Sequence, residues 1–178
     1  MKPLFRQFVL LILLLIFAAW SKAGNVFIQN NSATHEVLFG NAKMKFSLNY
    51  SGSCRLTGLE IKGQEVLSAE AGMYSFVRTA TGSGSTLSLL AEPVIIVNEN
   101  TLNINNIQYK LDELIITEEW KFTINDSTVE FDVDRTIPKQ LTIEEAGFPS
   151  FTFNSISTWE GAFTDYGGLA WFYLFNSR

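Results

Sequence analysis

From Leu114 to Ile137 the chain reads LIITEEWKFTINDSTVEFDVDRTI, and apolar and polar side chains alternate through it with a period of two. The first arm sets Ile116, Trp120, Phe122 and Ile124 against Ile115, Thr117, Glu119, Lys121 and Thr123. Glu118 is the one polar intruder on the apolar side. The second arm sets Val129, Phe131, Val133 and Ile137 against Thr128, Glu130, Asp132, Asp134 and Thr136. Strand side chains point alternately to opposite faces, so this pattern predicts a β-hairpin with one dry and one wet side. Asn125-Asp126-Ser127 joins the arms with residue types that tolerate tight turns.

The rest of the chain repeats that theme in shorter pieces. Val26 to Ile28 is a short apolar patch before the polar Asn30-Asn31-Ser32, an edge strand and loop. His35 to Gly40 follows, then Lys43 to Tyr50, which alternates cleanly and ends at Ser51-Gly52-Ser53. Leu56 to Ile61 and Glu65 to Leu67 read as strands joined by a hairpin turn at Lys62-Gly63-Gln64. Gly72 to Thr79 is another strand, and Thr81 to Ser85 is a flexible tip or loop. Pro93 breaks the stretch from Leu87 to Val97, and Asn98 to Asn106 reads as a turn leading into a short strand. Thr142 to Ala146 is the one expected helical turn, closed by Gly147-Phe148-Pro149, and Phe151, Phe153 and Ile156 continue as strand. Many short strands separated by turn signals predict an all-β, antiparallel β-sandwich.

The N-terminus reads as a secretory signal peptide over residues 1–23. Lys2 and Arg6 precede an apolar run of 13 residues, Phe8 to Trp20, and Ser21-Lys22-Ala23 supplies the cleavage site. A membrane-spanning helix needs roughly 20 apolar residues, so no stable span is expected after cleavage. The expected location is secreted or periplasmic. The signal takes three of the 13 basic residues and none of the 18 acidic ones, leaving ten against 18, a formal charge of −8. So acidic a domain excludes nucleic acid as an expected partner and leaves neutral partners such as sugars open. Residues 24–178 are enough for one domain with its own core. That domain is expected to be incomplete at its C-terminal end, because only Asn176-Ser177-Arg178 follow the apolar run Leu169 to Phe175.

Little in the composition supports catalysis. Cys54 is the sole cysteine and His35 the sole histidine. They rule out an intrachain disulfide and a structural zinc site, and make a nucleophilic triad improbable. No cofactor or metal is expected. Paired carboxylates are the device that remains, as in glycosidases. Glu118 and Glu119 would point to opposite faces of a strand, and Glu144 and Glu145 fall on the expected turn. Glu160 and Asp165 lie among Trp159, Phe163, Tyr166 and Trp171. Aromatic faces stack on sugar rings while carboxylates accept their hydroxyl protons, so Trp159, Glu160, Asp165, Tyr166 and Trp171 form a candidate carbohydrate-binding surface. The same aromatics would equally serve as core, or as a face buried against a further domain.

The runs EEWKFTINDSTVEFDVDRTIP, GFPSFTFNS and TWEGAFTDYGGLAWFYLF together resemble the N-terminal β-supersandwich of exported bacterial glycoside hydrolases, a domain similar in fold to galactose mutarotase. In that family the sandwich precedes an (α/α)6 catalytic barrel. The resemblance implies a non-catalytic sandwich that packs against and supports a catalytic domain missing from this chain. It also implies glycoside hydrolase activity for the full-length protein and none for these residues alone. Mutarotase chemistry is not carried over, since it uses two histidines and this chain has one. Two other readings stay open: a free-standing carbohydrate-binding module with Trp159, Tyr166 and Trp171 as its platform, and a structural or adhesion sandwich without ligand.

Overall fold

A computed structural model of the protein describes residues 26–68, 70, 72–154, 165–166 and 169–170. The expected signal segment therefore lies outside the described residues. Every regular element among the described residues is a strand. In chain order they are β1 (Phe27–Asn31), β2 (Glu36–Gly40), β3 (Met44–Asn49), β4 (Arg55–Ile61) and β5 (Gln64–Glu65). Then come β6 (Met73–Arg78), β7 (Ser83–Ser85), β8 (Val94–Asn98), β9 (Thr101–Leu111) and β10 (Leu114–Ile124). The last are β11 (Val129–Thr136), β12 (Glu145–Phe151), β13 (Asp165–Tyr166) and β14 (Leu169–Ala170).

Two antiparallel sheets carry the body. The first runs β1-β2-β3-β4-β6-β12, with β5 paired to β4 and β7 to β6. The second runs β11-β10-β9-β8, and β13 with β14 forms a separate small ribbon. The expected hairpin is β10 and β11, paired in one unbroken register from Ile124 opposite Val129 to Thr117 opposite Thr136. Its apolar side is the buried one: Ile116, Trp120, Phe122 and Ile124 are each at most 1% exposed.

The two sheets close a large apolar cluster between them and a smaller one around Val77, Tyr109, Leu111 and Ile116. Phe39 of β2 meets Phe122 of β10 with ring centroids 4.7 Å apart, and Phe122 stacks on Phe131 of β11 at 4.3 Å. Val37, Leu48, Leu56 and Met73 from the first sheet join Leu102, Ile104 and Ile107 from the second in the same cluster. Each such side chain contributes about 1.5–3 kcal/mol on burial, which makes this interface the main stabilising term. Asn41 ties the sheets at one end. Its Nδ2 donates to Asn125 O at 2.8 Å, and its Oδ1 accepts from Lys43 N at 2.9 Å and Met44 N at 3.1 Å.

Three local expectations are corrected. Thr142 to Ala146 forms no helical turn: β12 begins at Glu145 and pairs with β6, Glu145 opposite Arg78 and Ala146 opposite Val77. Pro149 does not end the element, because the register shifts between Gly147 and Ser150, and a bulge needs no ladder N–H there. Asn98 to Asn106 does turn, at Glu99 and Asn100, but the strand it leads into is long and not short. β9 runs from Thr101 to Leu111, and the register shift opposite Glu118 and Trp120 inserts one extra residue, with Asn106 at φ 61°. That insertion moves the inward phase from Leu102 and Ile104 to Ile107, Tyr109 and Leu111. The supposedly flexible Thr81 to Ser85 contains β7, fixed between β6 and β9.

Gly84 explains that last result. A Cβ at this position would collide with the backbone oxygen of Lys110 and lie 3.0 Å from the Tyr109 ring, so the glycine is a close-approach residue. At Gly52 the requirement is different: φ is 66°, yet nothing stands within 4 Å of an added Cβ. Gly84→Ala should therefore cost about 3 kcal/mol by overpacking, and Gly52→Ala about 1 kcal/mol of backbone strain. Equal losses in urea unfolding would contradict this assignment.

Candidate functional site

Glu118 lies in the middle of β10, on its inward side, with no exposed surface. Four donors hold its carboxylate. Oε1 accepts from Ser75 Oγ at 2.8 Å, Tyr109 Oη at 2.7 Å and Arg135 Nε at 2.6 Å. Oε2 accepts from Trp120 Nε1 at 2.8 Å. The Arg135 side chain is 4% exposed, and its Nη2 donates to Gly147 O at 3.0 Å and to Ser75 Oγ.

Strand geometry gathers these groups. Glu118 and Arg135 are directly opposite in the β10–β11 register, so they face the same side of the sheet. Tyr109 reaches Glu118 from the neighbouring β9, and Trp120 is the next inward residue along β10. Ser75 arrives from β6 of the facing sheet, with its own N–H donating to Thr86 Oγ1 at 3.1 Å. The carboxylate thus bridges both layers.

The cluster perturbs its neighbours. Burial pushes the Tyr109 hydroxyl far above the ordinary tyrosine range, and the Glu118 charge and hydrogen bond push it further, with Arg135 opposing. Burial also raises the Cys54 thiol well above its usual value, with the Glu118 charge as the second cause. Cys54 is fully buried and its N–H donates to Thr86 O at 2.6 Å, which makes it a packed core residue. A carboxylate without exposed surface and with four internal donors cannot touch a substrate unless the sheets part. The arrangement is built to hold the layers together.

Of the sequence-derived sugar-binding residues, Trp159, Glu160 and Trp171 lie outside the described residues. Asp165 and Tyr166 form β13, opposite Ala170 and Leu169 of β14. Glu118 and Glu119 do point apart, one buried and one exposed. Glu145 is on a strand and pairs with Arg78 at 2.5 Å. Arg135 escaped the sequence reading, although it falls in phase between Val133 and Ile137 on the apolar side. With Ile124 opposite Val129, the register alone sets it across from Glu118.

Among the described residues, the open depressions on the outside include two that lie over the sheets. One, of about 370 Å³, crosses the second sheet over Asn103, Asn105, Glu119, Lys121, Asp132 and Asp134. Among the described residues no group of three or more His, Cys, Asp or Glu gathers to hold a metal ion. The other, of about 590 Å³, lies over β6 and β7 and includes Tyr74, Phe76, Arg78, Ser85, Lys110 and Glu145.

Two predictions test the buried cluster. Arg135→Met strands a buried carboxylate and should cost about 3–5 kcal/mol. Adding Glu118→Gln should return part of that loss, so simple additivity in the double-mutant cycle would refute the coupling. The second concerns pH. Below about pH 10 the Tyr109 hydroxyl is protonated in both folded and unfolded chains and changes nothing. Above it the unfolded chain loses that proton while the folded chain keeps it, so stability falls as pH rises, by about 1.4 kcal/mol per unit. Urea titrations from neutral to strongly alkaline pH should show this slope reduced by one proton equivalent in Tyr109→Phe, and an unchanged slope would contradict it.

Compared with family models, with curated proteins and with solved structures, the chain finds no match in any of the three.

Proposed function

We propose that this chain is a non-catalytic β-sandwich module of an exported carbohydrate-active protein, with residues 1–23 as its signal peptide. In this reading the module is supersandwich-like and supports a glycoside hydrolase domain that these residues do not include. The observation that carries it is the state of Glu118. The one carboxylate on the dry side of the central hairpin has both oxygens committed to donors within the fold, a structural use of the residue type a glycosidase would keep at a cleft. The resemblance of the β10–β11 region and the sequence after it to the accessory sandwich supplies the carbohydrate context.

A free-standing carbohydrate-binding module is the second reading. It is favoured by the depression over Tyr74 and Phe76, where part-exposed aromatics and polar groups share one open surface.

The test is direct. Purified protein, incubated with a panel of plant, algal and bacterial polysaccharides, should release no reducing ends, and it should be retained by at least one of them in affinity electrophoresis. Turnover by the chain itself would overturn the non-catalytic reading. Folded protein that none of the polysaccharides retards would overturn the carbohydrate context.

A further inference from the structure

We infer that the groove over β6 and β7 is a binding site for an acidic oligosaccharide, charged through carboxylate or sulfate groups. The inference rests on the carbohydrate reading above and gives it a location and a ligand class.

Tyr74 and Phe76 are alternate residues of β6 and so emerge on the same face of the first sheet, both part-exposed. Their ring centroids are 6.0 Å apart with planes tilted by 40°, a pair of adjacent apolar surfaces on the scale of successive sugar rings. Phe76 is held from beneath. A Cβ on Gly147 would run into its ring, so the aromatic lies directly against the β12 backbone. A ring supported in this way loses little freedom when a ligand stacks on it. The groove volume of about 590 Å³ is within the range of roughly 300–1,000 Å³ usual for small-molecule sites.

Charge selects the ligand class. The whole chain has a formal charge of −5, yet this groove is lined by two cations, Arg78 and Lys110, against one carboxylate, Glu145. Arg78 is braced by Glu145 at 2.5 Å and remains 56% exposed. Lys110 is equally exposed, and Glu113 stands 3.8 Å from its Nζ. With Glu113 counted, two cations meet two carboxylates, so the groove is balanced on an otherwise acidic protein, and its half-exposed guanidinium and ammonium groups can make charge-assisted hydrogen bonds to carboxylate and sulfate oxygens. Ser83, Ser85 and Ser88 add hydroxyls along the same groove. The depression on the second sheet is net acidic, with Glu119, Asp132 and Asp134 against Lys121, and would repel the same ligands.

Calorimetric titration of the purified protein with oligogalacturonate, oligoalginate and chondroitin sulfate oligosaccharides tests this, with cello-, xylo- and malto-oligosaccharides as neutral counterparts. At least one acidic probe should bind, more weakly as salt is raised, and more tightly than any neutral one. The uronate-only and sulfated probes separate the two sources of charge. Tyr74→Ala and Lys110→Gln, both outward-facing and checked for unchanged urea midpoints, should each weaken binding by about tenfold. Sugar binding that survives both substitutions would overturn the groove while leaving the carbohydrate module intact. Equal affinity for neutral probes would overturn the ligand class, and folded protein that binds no acidic probe would overturn the inference.

Discussion

A single ion pair, Glu118 with Arg135, sets the terms on which the two sheets can meet. Its two charges lie deep between apolar layers, where each would cost several kcal/mol if left alone. The fold answers by surrounding them: a phenol, an indole and a serine hydroxyl complete the carboxylate, and the Gly147 carbonyl and Ser75 hydroxyl receive the guanidinium. Those partners come from both sheets, so the geometry that satisfies the pair also fixes how the layers are aligned. Apolar packing alone would tolerate a small slide. A carboxylate with four donors would not, since moving any strand leaves a buried polar group unsatisfied.

This arrangement divides the molecule into an interior that is chemically closed and an exterior that is open. Inside, the titratable groups nearest the cluster, Tyr109 and Cys54, are held in their neutral forms by burial and by the adjacent negative charge. Outside, the two depressions differ in chemistry. The one on the second sheet displays carboxylates from β10 and β11, and the one over β6 brings Arg78 and two aromatic rings of the first sheet together with Lys110 of β9. A scaffold with two such depressions can offer one to a ligand and keep the other repulsive to it.

Much of the architecture was legible in the residues because a sheet with one dry side writes itself as alternation. The hairpin from Leu114 to Ile137 was readable to within a residue, Thr128 joining the turn and β11 stopping at Thr136. Lys62-Gly63-Gln64 was also readable as a turn; Gln64 already belongs to β5, and Lys62 and Gly63 take positive φ, 51° and 83°, as a tight two-residue hairpin loop requires. Misreadings arose where tertiary contact overrides local chemistry. Thr81 to Ser85 looks flexible because it is small and polar, but those qualities serve close packing under β9. Thr142 to Ala146 has a helical composition, and the open edge of β6 draws its end into a ladder. The buried cluster was half visible: Glu118 stood out as a polar residue in an apolar series. Arg135 required the cross-strand register as well, and Ser75, separated from Glu118 by 43 residues, no local pattern could announce. The groove over β6 was invisible for a related reason, since Lys110 and Glu145 join Tyr74 only through the three-dimensional pairing of strands.

Sequence separation within the cluster bears on how the chain folds. Three of the donors to Glu118 come from its own sheet, at separations of two, nine and 17 residues. Short loops close at little entropic expense, so β9, β10 and β11 can come together with the opposing charges already matched and still bathed in solvent. Dehydration is then postponed until the larger sheet docks and Ser75 takes its place. The barrier to reaching the native state should accordingly sit at that docking event, with the meander formed beforehand.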